Sequence, residues 1–532
     1  WDSTQVELHG LYSEARVLEM AKYSAETSWL RVIAVLFTTP LPCLIVTIAV
    51  DVLPLADPSE GLGANKMFFA RIFYTFIVVS VLVVQQFRMS VPLLPYPLKR
   101  ILVESMLISA CVVGIFYGVA QTIGFPVPFG LLMMVPLWAT LIVIAMTVAW
   151  AKKVRETPGA ATMIVNAAKL WVCQVSLTFT YPPYFYIFTT LPKGGKTALA
   201  LLLPLIKLFM RNVVARTVTH LKDEMPEVVV FNCDVFNALF VSYCMQNSPT
   251  IWITLEIMFF DVVMMTFSLR GARSSRRYLK DLELKIEQQH NLDGIKSFRD
   301  HNGEATTTLR RATFLLCRAG NLTPEVTLVS RARNPTRIAP SPILVNGAAG
   351  SKIAKQSFVA RPKTLENALV PAQNLSLETQ LAPNLEHVVH EFPRLQARYI
   401  HKVQRLLYAA EFLLLLNFVE VVIPLVFSIY ITCMFYLPNG NYYAQIHGMN
   451  QTELVETLKS VQFYCGLQIA SLLLLCVALH QILGLSPVHQ LAFVLEKQFV
   501  GIQNKMIFWV FYNVQASLQH NGYDYTFKFP WL

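Results

Sequence analysis

Asp234, Glu256, Asp261, Glu411 and Glu420 each interrupt a stretch that is otherwise strongly apolar, and only Lys169 and Lys207 offset them within such stretches. A carboxylate in hydrocarbon costs at least about 2.5 kcal/mol and faces a cavity or a partner. Without a base beside it, such a group takes up a proton or holds a cation, and both outcomes suit an ion or proton pathway. Counted from the ends of the apolar runs, Asp261 in "EIMFFDVVMM" and Glu420 in "NFVEVVIPL" fall at mid-depth, where the sequence places no basic residue. Asp234 and Lys207 fall near one face, and the expectation there is a structural ion pair. The bland alternative for each acid is a protonated carboxyl donating to a neighbouring helix carbonyl.

Prolines sharpen the case for Glu420. Pro424 lacks the N–H that would bond the carbonyl of Glu420, and Asn417 lies three residues back on the same helix face. Pro40, Pro42, Pro136, Pro182, Pro183 and Pro204 also interrupt apolar runs, although proline is common enough in membrane helices that kinks alone carry no function. Glu411 is nine residues from Glu420, about 13.5 Å away along a helix and on the opposite face, so one site cannot use both. Near its span's end, Glu411 is expected to reach Arg405 or headgroups. The transport-path candidates are therefore Asp261, Glu420, Asn417, Pro424, Asp234 and Glu256. No catalytic constellation, cofactor motif or metal set stands out.

The elements that must hold these residues are membrane helices. Of 532 residues, 54% are hydrophobic and 14% charged, with a mean hydropathy of +0.47. A soluble globule of this size could not be covered with polar surface from that composition. Apolar runs near the roughly 20 residues of a spanning helix recur, so the fold class is all-α, a polytopic transmembrane bundle. Eight spans are read at 30–50, 68–88, 101–121, 129–151, 170–191, 197–210, 228–246 and 250–270, and two more at 406–437 and 460–483. In the last fifty residues, Glu496, Lys497 and Gln498 interrupt the apolar pattern. That tail reads as an amphipathic interfacial pair of helices, with 488–512 as a candidate eleventh span.

Four regions follow: 1–270 with eight spans, 271–405 as a polar insert, 406–483 with two spans, and 484–532 as an amphipathic tail. The formal charge of +11 does not mark a nucleic-acid binder, because residues 270–405 hold 22 Lys/Arg against 11 Asp/Glu and the remainder balances at 22 against 22. Within the insert, Leu279, Leu282 and Ile286 predict a helix with a narrow apolar stripe, lying on the membrane or on the protein. From 291 to 384 the composition predicts disorder. Arg270, Arg273, Arg276, Arg277 and Lys280 could attract anionic lipid, at about 1 kcal/mol for each charge near the surface. "RRATF" places Thr313 where a kinase directed by basic residues would act.

Basic residues alternate between connections: Arg16, Lys22 and Arg31; Arg88, Lys99 and Arg100; Lys152, Lys153 and Arg155; Arg211, Arg216 and Lys222. The positive-inside rule then places the N-terminus, the insert and the C-terminal tail in the cytosol of a multi-pass protein of the plasma membrane or an endomembrane. The sequence begins at Trp1, and no signal peptide is read in its first stretch. Of nine cysteines none forms a Cys-x-x-Cys pair. Cys433 and Cys465 fall toward one end of adjacent spans and could bridge, but free thiols acting as small apolar residues are the preferred reading. "LPKGGKTAL" lacks the first glycine and the strand of a phosphate loop, and "HVVHEF" misses the zinc-protease spacing.

The phrases "YPPYFYIFTTL", "LPLIKLFMRN", "FNCDVFNALFVSYCMQN" and "NFVEVVIPLVFSIY" resemble recurring phrases in a group of multi-pass membrane proteins of oomycetes. That resemblance covers most of the membrane portion and brings no activity, cofactor or site residue with it. Protein partners other than the bilayer are not written in the sequence.

Three sequons test the topology. Asn450, in the connection expected outside, should carry N-glycan on expression in a glycosylating host, while Asn321 and Asn374 should not. A glycosidase-sensitive mass shift that disappears with Asn450→Gln is the expected result.

Overall fold

In the computed structural model the described residues are 10–192, 202–247, 251–292, 308–319 and 382–523, with residues 6, 195 and 199. They form helices α1 (Glu14–Glu26), α2 (Trp29–Thr38), α3 (Leu41–Asp51), the single turn α4 (Gly61–Ala64), α5 (Lys66–Ser90), α6 (Leu98–Ile123), α7 (Gly130–Glu156) and α8 (Ala160–Thr190). After these come α9 (Leu202–Thr217), α10 (Met225–Asn247), α11 (Ile251–Leu292), α12 (Thr308–Ala319), α13 (Ala382–Phe435), α14 (Gln451–Leu483), α15 (Pro487–Lys497) and α16 (Phe499–Ala516). Among the described residues there is no β-strand, so the all-α class holds. Eight helical segments are long and apolar enough to cross a membrane: 29–51, 66–90, 98–123, 130–156, 160–179, 219–246, 394–435 and 451–483. This is the build of an integral membrane protein. The sixth and eighth spans expected from sequence fall on α9, which has 16 residues, and on the first part of α11, which has 42.

Two helices form the centre. The apolar windows of α10 and α13 are 94% and 78% buried, against 33% for most of the others, so α10 can be polar where a lipid-facing helix could not. Three of its polar residues are met by side chains of other helices: Gln174 donates to Asn232, Lys505 pairs with Glu227 at 2.7 Å, and Asp234 receives Arg211. A backbone group at a helix break is also answered. Where Thr39 and Pro40 separate α2 from α3, Gln503 of α16 donates to the Thr39 carbonyl at 2.8 Å.

Two buried ion-pair networks tie the ends of the bundle. At the end that carries α1, Arg16 makes two bonds to Glu411, at 2.8 and 2.9 Å, and Tyr12 also donates to that carboxylate. Glu411 therefore reaches neither Arg405 nor headgroups; it is buried, and its partner comes from a helix 395 residues earlier in the chain. Burial and the adjacent carboxylate hold the Tyr12 hydroxyl protonated, well above its ordinary pKa. At the opposite end Asp51 accepts from Arg71 at 2.5 Å, Tyr430 at 2.9 Å and Gln515 at 3.0 Å, and also from Tyr443.

The C-terminal helices differ most from the sequence reading. α15 packs on α1 and α2, while α16 packs on α3, α5 and α10 and runs through the bundle. Beyond it, Ser517 accepts from the Ala444 amide and Gly522 from the Phe129 amide, while His520 meets Ala56 and Asn65. Residues 517–523 thus lie at the Asp51 end, opposite α1. The described part of the expected amphipathic tail, residues 484–523, is packed among the helices of the bundle and does not lie on its surface as an amphipathic pair. The physical reason is that Gln503, Asn504 and Lys505 are answered by protein groups and have no need of water.

Two further expectations change. Most of 291–384 lies outside the described residues, but 308–319 forms α12, with Leu309, Ala312, Leu315 and Leu316 buried beside α1 and α13. Thr313 is buried there and its hydroxyl donates to the Leu309 carbonyl at 2.8 Å. The stripe Leu279, Leu282 and Ile286 is buried against protein, on a continuation of the eighth expected span. Cys433 and Cys465 are free thiols. Cys465 sits beside the Val421 carbonyl at 3.5 Å, a point twelve residues or about 18 Å of helix from Cys433, so those two cannot bridge.

His520 supplies a pH test of this end. Burial among Phe68, Phe125 and Tyr442 pushes its imidazole down to about 4. A folded pKa below the unfolded value favours folding above about 6.5, and the contribution is lost as pH falls from there toward 4. The unfolding midpoint should fall over that window, and His520→Phe should flatten the fall in a thermal titration.

Candidate functional site

The site is built from five helices. On α9, Lys207 and Arg211 are four residues apart and share one face. Asp234 comes from α10, Asp261 from α11, and Asn417 and Glu420 from α13. From α14 come Tyr464, Gln468 and Ser471, spaced four and three apart on one face. Lys207 is the hub: its ammonium contacts Glu420 directly, lies 3.4 Å from Asp234 and 3.9 Å from Asp261. Arg211 Nε lies 3.1 Å from both oxygens of Asp234, the forked geometry in which a guanidinium holds a carboxylate most firmly.

Asp261 is held least. Gln468 Nε2 donates to it at 3.2 Å and also to Tyr464 at 2.9 Å. Asp261 keeps 18% of its side chain exposed, against 5% for Glu420 and none for Asp234. Ser471 donates to Asn417 Oδ1 at 3.2 Å, and Asn417 Nδ2 donates back to the Leu413 carbonyl at 3.0 Å.

A cleft reaches this cluster from the side of the bundle. Its walls are α9, with Pro204, Lys207, Leu208 and Arg211, and α11, with Phe260, Asp261, Met264, Met265 and Ser268; its floor is α13, with Asn417 and Glu420. The walls stay apart because α9 packs on α8 and α10 while α11 packs on α13 and α14. The space measures about 30 Å³, room for a water or two or a single small ion.

Asp261, Glu420 and Asp234 thus converge, and the Lys207–Asp234 pair read from sequence is present. The expectation that Asp261 and Glu420 have no base at their depth fails, because Lys207 reaches both from the short helix α9. Asn417 belongs to the same cleft. Pro424 is buried one turn from Glu420, but α13 continues through it and its own carbonyl accepts from Ser428 at 2.9 Å; it marks no break in the helix. Glu256 stands apart: it is absent from the cleft walls, and its Oε2 is buried without a hydrogen bond. Asn450 is exposed immediately ahead of α14. Arg270, Arg273, Arg277 and Lys280 are exposed along α11, whereas Arg276 is half-buried and paired with Glu283 at 2.8 Å.

Sequence reasoning missed Arg211, Gln468, Tyr464 and Ser471. Arg211 looked like a loop residue, and the polar stripe on α14 was the available signal for the other three. Although Asp234, Asp261 and Glu420 all reach Lys207, no three metal-ligating side chains among the described residues are grouped so as to hold a metal ion.

No family model, curated protein or solved structure matches the chain. The resemblance to the oomycete group therefore rests on the quoted phrases alone.

Removing the hub cation leaves three acids facing one base, and an uncompensated buried charge costs roughly 3–5 kcal/mol. Lys207→Met should lower the unfolding midpoint markedly, and the double change Lys207→Met with Glu420→Gln should recover much of the loss. Thermal unfolding in lipid-supplemented detergent, run as a double-mutant cycle, checks both.

Proposed function

We propose that this integral membrane protein transports a proton or a small cation, alone or coupled to a solute, through the cluster around Lys207. One observation carries the reading: three carboxylates, Asp234, Asp261 and Glu420, share two bases, Lys207 and Arg211, in a buried setting. Three acids against two bases leave one negative charge, and a dielectric this low favours neutralising it by uptake of a proton or a cation.

The members of the cluster divide the work. Arg211 and Asp234 form a fixed pair. Asp261, least engaged and nearest the cleft, takes up the proton or cation. Glu420 holds Lys207 until it is itself protonated, and the freed ammonium then turns to Asp234 and Asp261, both within 4 Å. Lys207 thus acts as an internal counter-charge that the incoming cation displaces. The carbonyl of Glu420, which Pro424 deprives of its helix N–H, adds an acceptor at the same level.

A second reading is favoured by the exposed ridge Arg270, Arg273, Arg277 and Lys280 on α11. In it the spans are an anchor and the basic insert binds anionic lipid or partner proteins.

Purified protein in liposomes loaded with a pH dye, or with indicators for sodium and potassium, separates the two. The expected result is flux of one of these ions in the parent, reduced at least tenfold in Asp261→Asn and in Glu420→Gln. Absence of all three fluxes in the parent, or parental flux in both variants, overturns the transport reading. Loss of function confined to deletion of 291–384 then supports the anchor.

A further inference from the structure

The cleft that leads to Asp261 lies between α9 and α11, two helices that carry exposed apolar residues. Leu205 and Phe209 on α9 and Phe259 and Val262 on α11 are exposed apolar residues on the two helices that form its walls. Just inside lie Phe260, Met264 and Met265, and at the bottom the charged cluster. Space and charge together restrict what such a site can take.

The cavity of about 30 Å³ accommodates a head group the size of an ammonium, while pockets that enclose a whole organic solute run to roughly 300 Å³ or more. The rest of an organic ligand must then remain outside, along apolar helix faces, and so must itself be apolar. Charge fixes the sign of the head. Lys207 is in contact with Glu420 and Arg211 with Asp234, whereas Asp261 is 3.9 Å from its closest cation. An anionic head would raise the local imbalance from one negative charge to two; a cationic head removes it. Aromatic and thioether groups at the entrance favour a cation as well. Asp261 itself lines the cleft and accepts only from Gln468 Nε2, at 3.2 Å, so its carboxylate has room for a further N–H donor.

We infer that the cleft between α9 and α11 admits the head group of an amphipathic amine, protonated and carrying a long apolar chain, from the plane of the membrane to Asp261. The inference names a solute class for the cluster and rests on the proposed reading of that cluster as a cation site. The chain of the amine lies along Leu205, Phe209, Phe259 and Val262 while the head pairs with Asp261.

The test is photolabelling of the full-length protein in lipid nanodiscs with a diazirine-bearing long-chain primary amine. The alcohol and the sulfate of the same chain serve as controls, and labelled peptides are mapped by mass spectrometry. The amine should label peptides of α9 and the first half of α11 at least tenfold more than either control. Asp261→Asn should abolish the preference and Asp261→Glu restore it. Met264→Trp, which fills the entrance without altering charge, should cut the labelling as strongly in a protein that elutes like the parent. Equal labelling by amine and alcohol, stronger labelling by the sulfate, or amine labelling that survives both Asp261→Asn and Met264→Trp overturns the inference. Ion flux is measured separately, so amine-selective labelling with parental flux in the Asp261→Asn and Glu420→Gln variants would reject ion transport and leave amine binding standing.

Discussion

A charge taken out of water must be compensated where it stands, and in the most deeply buried ion pairs here the compensation comes from a different helix. Arg16 of α1 answers Glu411 of α13, Arg71 of α5 answers Asp51 of α3, Lys505 of α16 answers Glu227 of α10, and Lys207 of α9 answers Glu420 of α13. Association between membrane helices cannot rely on expelling water from apolar faces, since lipid tails are as apolar as leucine. Paired charges and answered amides then choose which helix lies beside which. The two most buried helices, α10 and α13, are the ones that receive most of these partners.

The cluster around Lys207 departs from that rule in a single respect. At the other three sites one base pairs with one acid, and hydroxyl groups add bonds to Glu411 and Asp51. Around Lys207 the acids exceed the bases by one, and the least satisfied acid is the one beside an opening. A site built only for cohesion has no use for an excess charge, because an ion pair in low dielectric gains from completeness. The separation of α9 from α11 fits the same view: closing that gap would bury more apolar surface, and the chain leaves it open.

Much of the scaffold was legible in the sequence because it depends on local quantities. Apolar length located α5, α6, α7 and α14, and the polar character of "FNCDVFNALF" marked α10 as unlike its neighbours. What could not be read depends on contacts between distant parts of the chain. Glu411 looked like a residue at the edge of a span because its base lies 395 residues away. Asp261 and Glu420 looked unpaired because Lys207 sits on a helix of 16 residues, too short to be placed in depth by counting. Residues 499–516 looked interfacial because polar side chains satisfied by protein have the same sequence signature as polar side chains satisfied by water. The convergence of Asp261 with Glu420 was anticipated in kind; the cation that joins them was not.

The course of α16 also has a consequence for how the protein is made. Gln515 reaches Asp51 across 464 residues, and Gln503 reaches Thr39 across the same separation. A helix synthesised well after α3 therefore completes hydrogen bonds on the break between α2 and α3 and on the end of α3. Until it arrives, the groove between α3, α5 and α10 holds Glu227 without its lysine and the break at Pro40 without its donor. Between the synthesis of α10 and that of α16 those buried polar groups have no partner from the chain already made. A chain truncated before α16 keeps the eight long apolar segments but leaves Glu227 and the Thr39 carbonyl without the partners that α16 brings.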